Sequence, residues 1–204
     1  RPEDGDWTSA VLAAIERPGA PPLSLASISS VHWSDGGLID IDKVGAALRQ
    51  ARLWRQIGLD MGMAINVSAR DLQDESFPDY VARVCQEIGV PHENVTLELT
   101  ERDLLLDPAK AEVGIRRLSA TGVGLAIDDF GTGYSGLSYL HKLPVKEIKI
   151  DKSFVTGMFN DPRSAAITRS IIDLGRNLRL AVVAESIEDQ KTWDALVDLG
   201  CDMG

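Results

Sequence analysis

Cysteine and histidine are scarce in this sequence, and long apolar runs are absent from it. Only two cysteines, Cys85 and Cys201, occur in 204 residues, and they form no C-x-x-C pair. A disulfide framework is therefore excluded, and a reducing compartment is expected. The three histidines, His32, His92 and His141, are scattered without an H-x-x-x-H pair, which argues against a zinc site. No apolar stretch reaches the roughly 18 residues that a membrane-spanning helix needs, and no secretory leader is legible. Basic residues are also outnumbered: 21 Lys+Arg stand against 31 Asp+Glu, a formal net charge of −10. A general nucleic-acid binder presents a basic face, so that class is disfavoured. Disorder is excluded by an apolar content of 44%, enough to build a core. The expected location is the cytoplasm, or the cytoplasmic part of a membrane-anchored protein.

What is present is a rhythm. From about residue 60 onward, short β-type runs alternate with amphipathic helical stretches. The runs are Met63–Val67, Val95–Leu99, Gly124–Asp128, Glu147–Ile150 and Ala181–Glu185, with a sixth candidate at Pro22–Ile28. Helices are expected over Leu38–Gln56, from Asp74-Glu75-Ser76 and Pro78 to Ile88 with Gly89 as the stop, and from Asp107-Pro108 to Gly122 as C-cap. Two more follow at Arg163–Leu178 and around Trp193–Leu199. Trp7–Glu16 also reads helical, before a Pro/Gly-rich break at Arg17–Pro22. Repeated βα units imply a parallel sheet. Rhythm alone leaves two architectures open, a closed (β/α)8 barrel and an open doubly wound sheet.

Strand parity is more informative, because alternate side chains of a strand point to opposite faces. Val95, Leu97 and Leu99 share a face opposite Thr96 and Glu98. Ile65 and Val67 oppose Asn66, Leu125 and Ile127 oppose Asp128, Ile148 and Ile150 oppose Lys149, and Val182 and Ala184 oppose Glu185. Each strand gives one face to helices and puts a polar residue on the other, at or near its C-terminal end. A single such residue ends many strands at the surface; five in a row with one parity describe the rim of a barrel active site.

The convergent set is Asn66, Glu98, Asp128, Asp129, Lys149 and Glu185. It offers oxygen ligands and one amine, with no imidazole or thiolate, which suits Mg²⁺ or Mn²⁺. The adjacent Asp128 and Asp129 suit a two-metal site of the kind that clamps the oxygens of a phosphoryl group. Metal ions would also let an acidic protein accept an anionic phosphate ester. Directly behind them, Gly131, Thr132, Gly133 and Gly136 belong to a Gly-rich turn that permits close backbone approach to a ligand.

At these residues the sequence resembles the EAL domain family, the bacterial cyclic di-GMP phosphodiesterase module. The matching motifs are Asn66-Val67-Ser68, Leu97-Glu98-Leu99-Thr100-Glu101, the run from Asp128 to Ser135 (DDFGTGYS), the run from Lys149 to Phe154 (KIDKSF), and the run from Val183 to Glu188 (VAESIE). They agree in order and spacing from about Gly37 to Gly204. The resemblance implies an α/β fold, a TIM-type barrel with one reversed strand. By the same resemblance, Asn66, Glu98, Asp128 and Glu185 match metal-ligand positions, and Asp129 matches the position that holds the second metal or its water. Lys149 matches the lysine that contacts the attacking water or the phosphate. Glu101 matches the glutamate anchoring the loop at Gly131, Thr132 and Gly133, and Glu188 matches a supporting carboxylate. The implied reaction opens cyclic di-GMP to linear pGpG with Mg²⁺ or Mn²⁺. A homodimer and attached sensory or GGDEF-type domains are implied partners.

Four departures accompany this resemblance. The Glu-Ala-Leu signature, which the family carries before the stretch matching Gly37-Leu38-Ile39, is absent from the 36 residues that precede that point here. The chain stops at Gly204 where the family continues, Ser186 stands where the family usually has Gly, and Gly136 where it often has Ser. The expectation is a single barrel domain over residues 1–204, incomplete near both ends and part of a longer signalling protein. Loss of a barrel strand would leave its neighbours with unpaired edges, so the signature segment is expected to exist in the complete protein. The competing expectation, from its absence here, is a catalytically inactive receptor or interaction module. An enolase-type Mg²⁺ barrel shares only the strand-end geometry, and the DFGTGYS run disfavours it.

Overall fold

Apolar strands and capped helices alternate in a computed structural model of the chain that describes residues 25–26, 41–58, 62–133 and 140–202. The expected helix at Trp7–Glu16, the break at Arg17–Pro22, and Tyr134, Ser135 and Gly136 of the Gly-rich turn lie outside the described residues.

Six strands are described: β1 (Leu25–Ala26), β2 (Gly62–Asn66), β3 (Val95–Thr100), β4 (Gly124–Phe130), β5 (Glu147–Ile150) and β6 (Ala181–Ala184). They pair in the order β1-β2-β3-β4-β5-β6, every pair parallel. This order decides between the two architectures. A doubly wound sheet reverses its strand order at a switch point. Here each crossover adds its strand on the same side as the last, so right-handed connections stack their helices on one face. That is the wall of a β/α barrel.

Eight α-helices are described: α1 (Ile41–Gln56), α2 (Ala69–Gln73), α3 (Phe77–Ile88), α4 (Glu101–Leu106), α5 (Pro108–Ala120), α6 (Lys152–Gly157), α7 (Pro162–Leu178) and α8 (Gln190–Leu199). The long ones start and stop on local signals. Asp107, Asp161 and Asp189 accept backbone N–H groups of the first turns of α5, α7 and α8, and Pro108 and Pro162 occupy first-turn positions whose N–H needs no partner. Gly89 and Gly200 end α3 and α8 at φ 76° and 81°, a left-handed conformation that glycine adopts without strain. At the end of α5 the cap is Thr121 rather than Gly122, which follows at φ 94°. The hydroxyl of Thr121 donates to Leu118 O and helps close the turn.

Three short helices carry no helical periodicity in sequence, because a stretch of five or six residues does not complete two turns. They share a logic. α2, α4 and α6 follow the C-terminal ends of β2, β3 and β5, and each starts on a polar cap. Ser68 donates from its backbone N and its hydroxyl to the Asp71 carboxylate. The Thr100 hydroxyl accepts from Asp103 N, and the Asp151 carboxylate accepts from Ser153 N at 2.9 Å. Ser68, of the Asn66-Val67-Ser68 motif, thus serves to turn the chain.

The core lies between sheet and helices. Leu97, Leu99, Leu125, Ile127, Ile148, Ile150 and Val182 are buried. Gly175 marks how closely α7 approaches: a Cβ there would lie 2.2 Å from Val182 Cγ2 and 3.4 Å from Ile148 Cδ1. The apolar face of β5 and β6 therefore packs on α7, and Lys149, of opposite parity, points the other way. Trp54 and Cys85 are buried, as their apolar surroundings in sequence imply, while Trp193 is half-buried and His141 exposed.

Candidate metal centre at the strand C-termini

Glu98 and Asn66 are partners in the β2–β3 register, at the C-terminal ends of their strands. From the next strands come Asp128 on β4 and Lys149 on β5, with Glu185 one residue beyond β6. The side chains of Glu98, Asp128, Lys149 and Glu185 meet. The Lys149 ammonium lies 2.7 Å from Glu98 Oε1, 3.2 Å from Asp128 Oδ1 and 2.6 Å from Glu185 Oε1. Lys149 and Glu98 are almost fully enclosed, with side chains 3% and 2% exposed. Asp128, Asp129 and Glu185 each offer a carboxylate oxygen, and these oxygens lie within 4.8 Å of one another.

Asp129 reaches this cluster against simple alternation, which would send adjacent residues to opposite faces. The β4–β5 register shifts between Ile127 and Phe130, and Asp129 has φ 52°. A bulge of this kind re-aims side chains beside a site. It brings two consecutive carboxylates to one side and leaves Phe130 buried.

Charge crowding shapes the electrostatics. Burial raises the Glu98 carboxyl to about 7, Lys149 opposes the rise, and Asp128 and Glu185 add to it. Burial, followed by the charges of Asp128 and Asp151, raises Asp129 to about 6. For Lys149 burial acts downward, yet the Glu98 and Asp128 charges and a hydrogen bond to Glu185 outweigh it, so its pKa rises. Burial is the main cause for both carboxyls, and repulsion among several carboxylates around one ammonium adds to it while raising the base as well. The donor set, hard oxygens carrying excess negative charge, fits a divalent cation such as Mg²⁺ or Mn²⁺.

Glu101 organises the adjoining turn. Its Oε2 accepts from Gly131 N at 3.3 Å and Gly133 N at 3.2 Å. Gly131 has φ 100°, and a Cβ there would lie 2.9 Å from the Phe154 ring, so this position requires glycine on two counts. The Thr132 hydroxyl donates to Asp129 O at 2.9 Å, tying the turn back to the bulge. Glu188 is exposed and stands outside this set.

Two acidic residues beside the site were not singled out from sequence. Asp151 lies close enough to Asp129 for its charge to raise that carboxyl, and it accepts from Ser153 N. Glu147, two residues before Lys149 on the same face, is raised by burial. Parity pointed to Glu147; Asp151 lies past its strand end, where alternation gives no signal.

Ser186, directly after Glu185, sits at φ 57°. A non-glycine residue in this region is strained by roughly 1–2 kcal/mol. Ser186→Gly is expected to raise stability by about 1 kcal/mol, read as a higher denaturation midpoint at unchanged slope. An unchanged or lower midpoint would show that the serine has compensating contacts.

A β/α barrel wall with a carboxylate-rich rim at its strand C-termini defines the class: a TIM-type barrel with its site where such barrels carry chemistry. The family model for the EAL domain matches residues 11–204, so the chain belongs to the EAL domain family. It is 40% identical over 156 residues to the bifunctional diguanylate cyclase/cyclic di-GMP phosphodiesterase MucR of Pseudomonas aeruginosa, covering 76% of this chain and 23% of MucR. It is 34% identical to the cyclic di-GMP phosphodiesterase RocR of the same organism, covering 76% of this chain and 39% of RocR. The chain thus spans well under half the length of these curated relatives. Among solved structures, the MucR phosphodiesterase in complex with c-di-GMP superposes with a TM-score of 0.76 at 38% identity, over 81% of this chain and 68% of that one. The neighbours are EAL domains, which are TIM barrels, in keeping with the fold expected from sequence. No helix among the described residues is long and apolar enough to cross a membrane.

Proposed function

We propose that this chain is the barrel domain of a cytoplasmic cyclic di-GMP phosphodiesterase that hydrolyses one phosphodiester bond to give linear pGpG. The observation that carries this reading is the juxtaposition of Asp128, Asp129 and Glu185 within 4.8 Å, with Lys149 among them. The names of the relatives supply the substrate. Asn66, Glu98, Asp128, Asp129 and Glu185 are the residues that would hold two divalent cations. Those ions, when bound, supply charge neutralisation and a nucleophilic water at neutral pH. The chain's own residues do the rest. Lys149 directs an ammonium toward the attacked phosphate or the incoming water. Glu101 fixes the Gly131–Gly133 turn. Water adds to phosphorus, the P–O3′ bond breaks, and the 3′ oxygen leaves with a proton. The domain belongs to a larger signalling protein in which it pairs with a second copy.

The test is chromatography of cyclic di-GMP incubated with the full-length protein and Mg²⁺ or Mn²⁺. Formation of pGpG that stops on adding a chelator is expected; no pGpG under these conditions removes the enzyme reading. One observation favours the second reading, a cyclic di-GMP receptor: the tripeptide Glu-Ala-Leu does not occur in the sequence. Calorimetric binding of cyclic di-GMP without turnover, metal present, would establish that role.

A further inference from the structure

Two of the three carboxylates that Lys149 grips are also members of the metal-competent triad. Its ammonium lies 3.2 Å from Asp128 and 2.6 Å from Glu185, while the triad consists of Asp128, Asp129 and Glu185. We infer that Lys149 is a built-in cation of this cluster, and that a divalent ion binds by displacing its ammonium from Asp128 and Glu185. The inference rests on the metal-centre reading above and deepens it.

Three observations support it. First, Glu98, Asp128, Asp129 and Glu185 crowd together, and carboxylates at such spacing repel one another unless a positive charge lies between them. Lys149 places one there, at contact distance from strands β3 and β4 and from the end of β6. Second, the ammonium and a hard divalent ion want the same oxygens. A Mg²⁺-sized ion binds carboxylate oxygen at about 2.0–2.1 Å, so an ion coordinated by Asp128 and Glu185 would lie within a few ångströms of Nζ, where two positive charges repel strongly. Third, Lys149 has somewhere to go. Its charge sits on a flexible four-carbon stem, and the Glu98 contact at 2.7 Å lies outside the triad. An ammonium freed from Asp128 and Glu185 swings on that stem toward the edge of the site where a phosphate would arrive. Lysine thus holds the ligands together and oriented before the ion binds, and is handed over to the phosphate afterwards.

The experiment is a calorimetric Mn²⁺ titration of the wild-type chain, Lys149→Met and Lys149→Arg, without nucleotide. Methionine keeps much of the length and removes the charge; arginine keeps the charge. The expected result is an Mn²⁺ Kd about tenfold or more lower for Lys149→Met, with Lys149→Arg close to wild type. Because Lys149→Met leaves Glu98 buried without its partner, a second comparison uses Glu98→Gln against Glu98→Gln/Lys149→Met, which differ only in the lysine charge. Circular dichroism identifies the pair that is folded. Tighter Mn²⁺ binding on loss of the charge supports the inference; an unchanged or raised Kd overturns it. The reading beneath it is tested separately by Asp128→Asn: wild-type Mn²⁺ binding that Asp128→Asn leaves intact would reject the metal centre itself.

Discussion

Asp128→Asn is expected to lower cyclic di-GMP turnover by about 10³-fold while leaving the thermal midpoint at or above that of the wild type. Asp128 lies 3.2 Å from the Lys149 ammonium, and its carboxylate is within 4.8 Å of those of Asp129 and Glu185. Asparagine keeps the size and one oxygen but removes the charge that would hold a divalent ion. A metal ion contributes several kcal/mol of charge stabilisation in the transition state, and losing about 4 kcal/mol of it corresponds to roughly 10³ in rate. Stability should move the other way or not at all, because one repelling carboxylate has gone from a site with several. Turnover and circular dichroism melts on the same preparation separate the two effects. A variant that keeps more than about a tenth of wild-type turnover would take Asp128 out of the metal set.

Ile148→Ala makes the converse expectation, a large loss of stability with the chemistry spared. Ile148 is fully buried on β5, facing α7 near Gly175. Its neighbour Lys149 points to the opposite face and carries the ion pairs. Truncating a fully buried isoleucine removes its transfer free energy and leaves a cavity that close-packed neighbours cannot fill, at a cost of about 3–4 kcal/mol. For a domain of this size the melting temperature should fall by about 6–15 °C. Turnover measured well below the lower midpoint should stay within about threefold of wild type. A shift of only a degree or two would show that α7 does not pack on β5 as described.

The two substitutions illustrate how much was legible beforehand. Alternation along β5 separates Ile148 from Lys149 without any structure, since a strand has only two faces. The same parity placed Asn66, Glu98, Asp128 and Glu185 on one side of their strands, and the structure brings Glu98, Asp128 and Glu185 into contact with Lys149. Asp129 is the instructive case. It adjoins Asp128 in sequence, yet strict alternation would turn it toward the helices. The bulge that reverses its direction depends on a register shift against β5, and pairing between distant segments leaves little trace in one strand's own residues. Asp151 carries no parity signal, because it follows its strand and joins the site through Asp129.

The chain by itself determined its βα alternation, its helix caps at Asp107, Asp161 and Asp189, the two faces of each strand, and a motif set specific enough to indicate the EAL family. These are local matters of spacing, hydrogen-bonding capacity and side-chain chemistry, all readable within a few residues. The tertiary structure alone decided that the strands run in sequential parallel order, as a barrel wall rather than a doubly wound sheet. It also decided that the bulge at Asp128–Asp129 gathers both carboxylates, and that Lys149 lies in contact with Glu98, Asp128 and Glu185. Each of these depends on which distant segments pair and how far one is shifted along another, which is set by packing of the whole sheet against its helices.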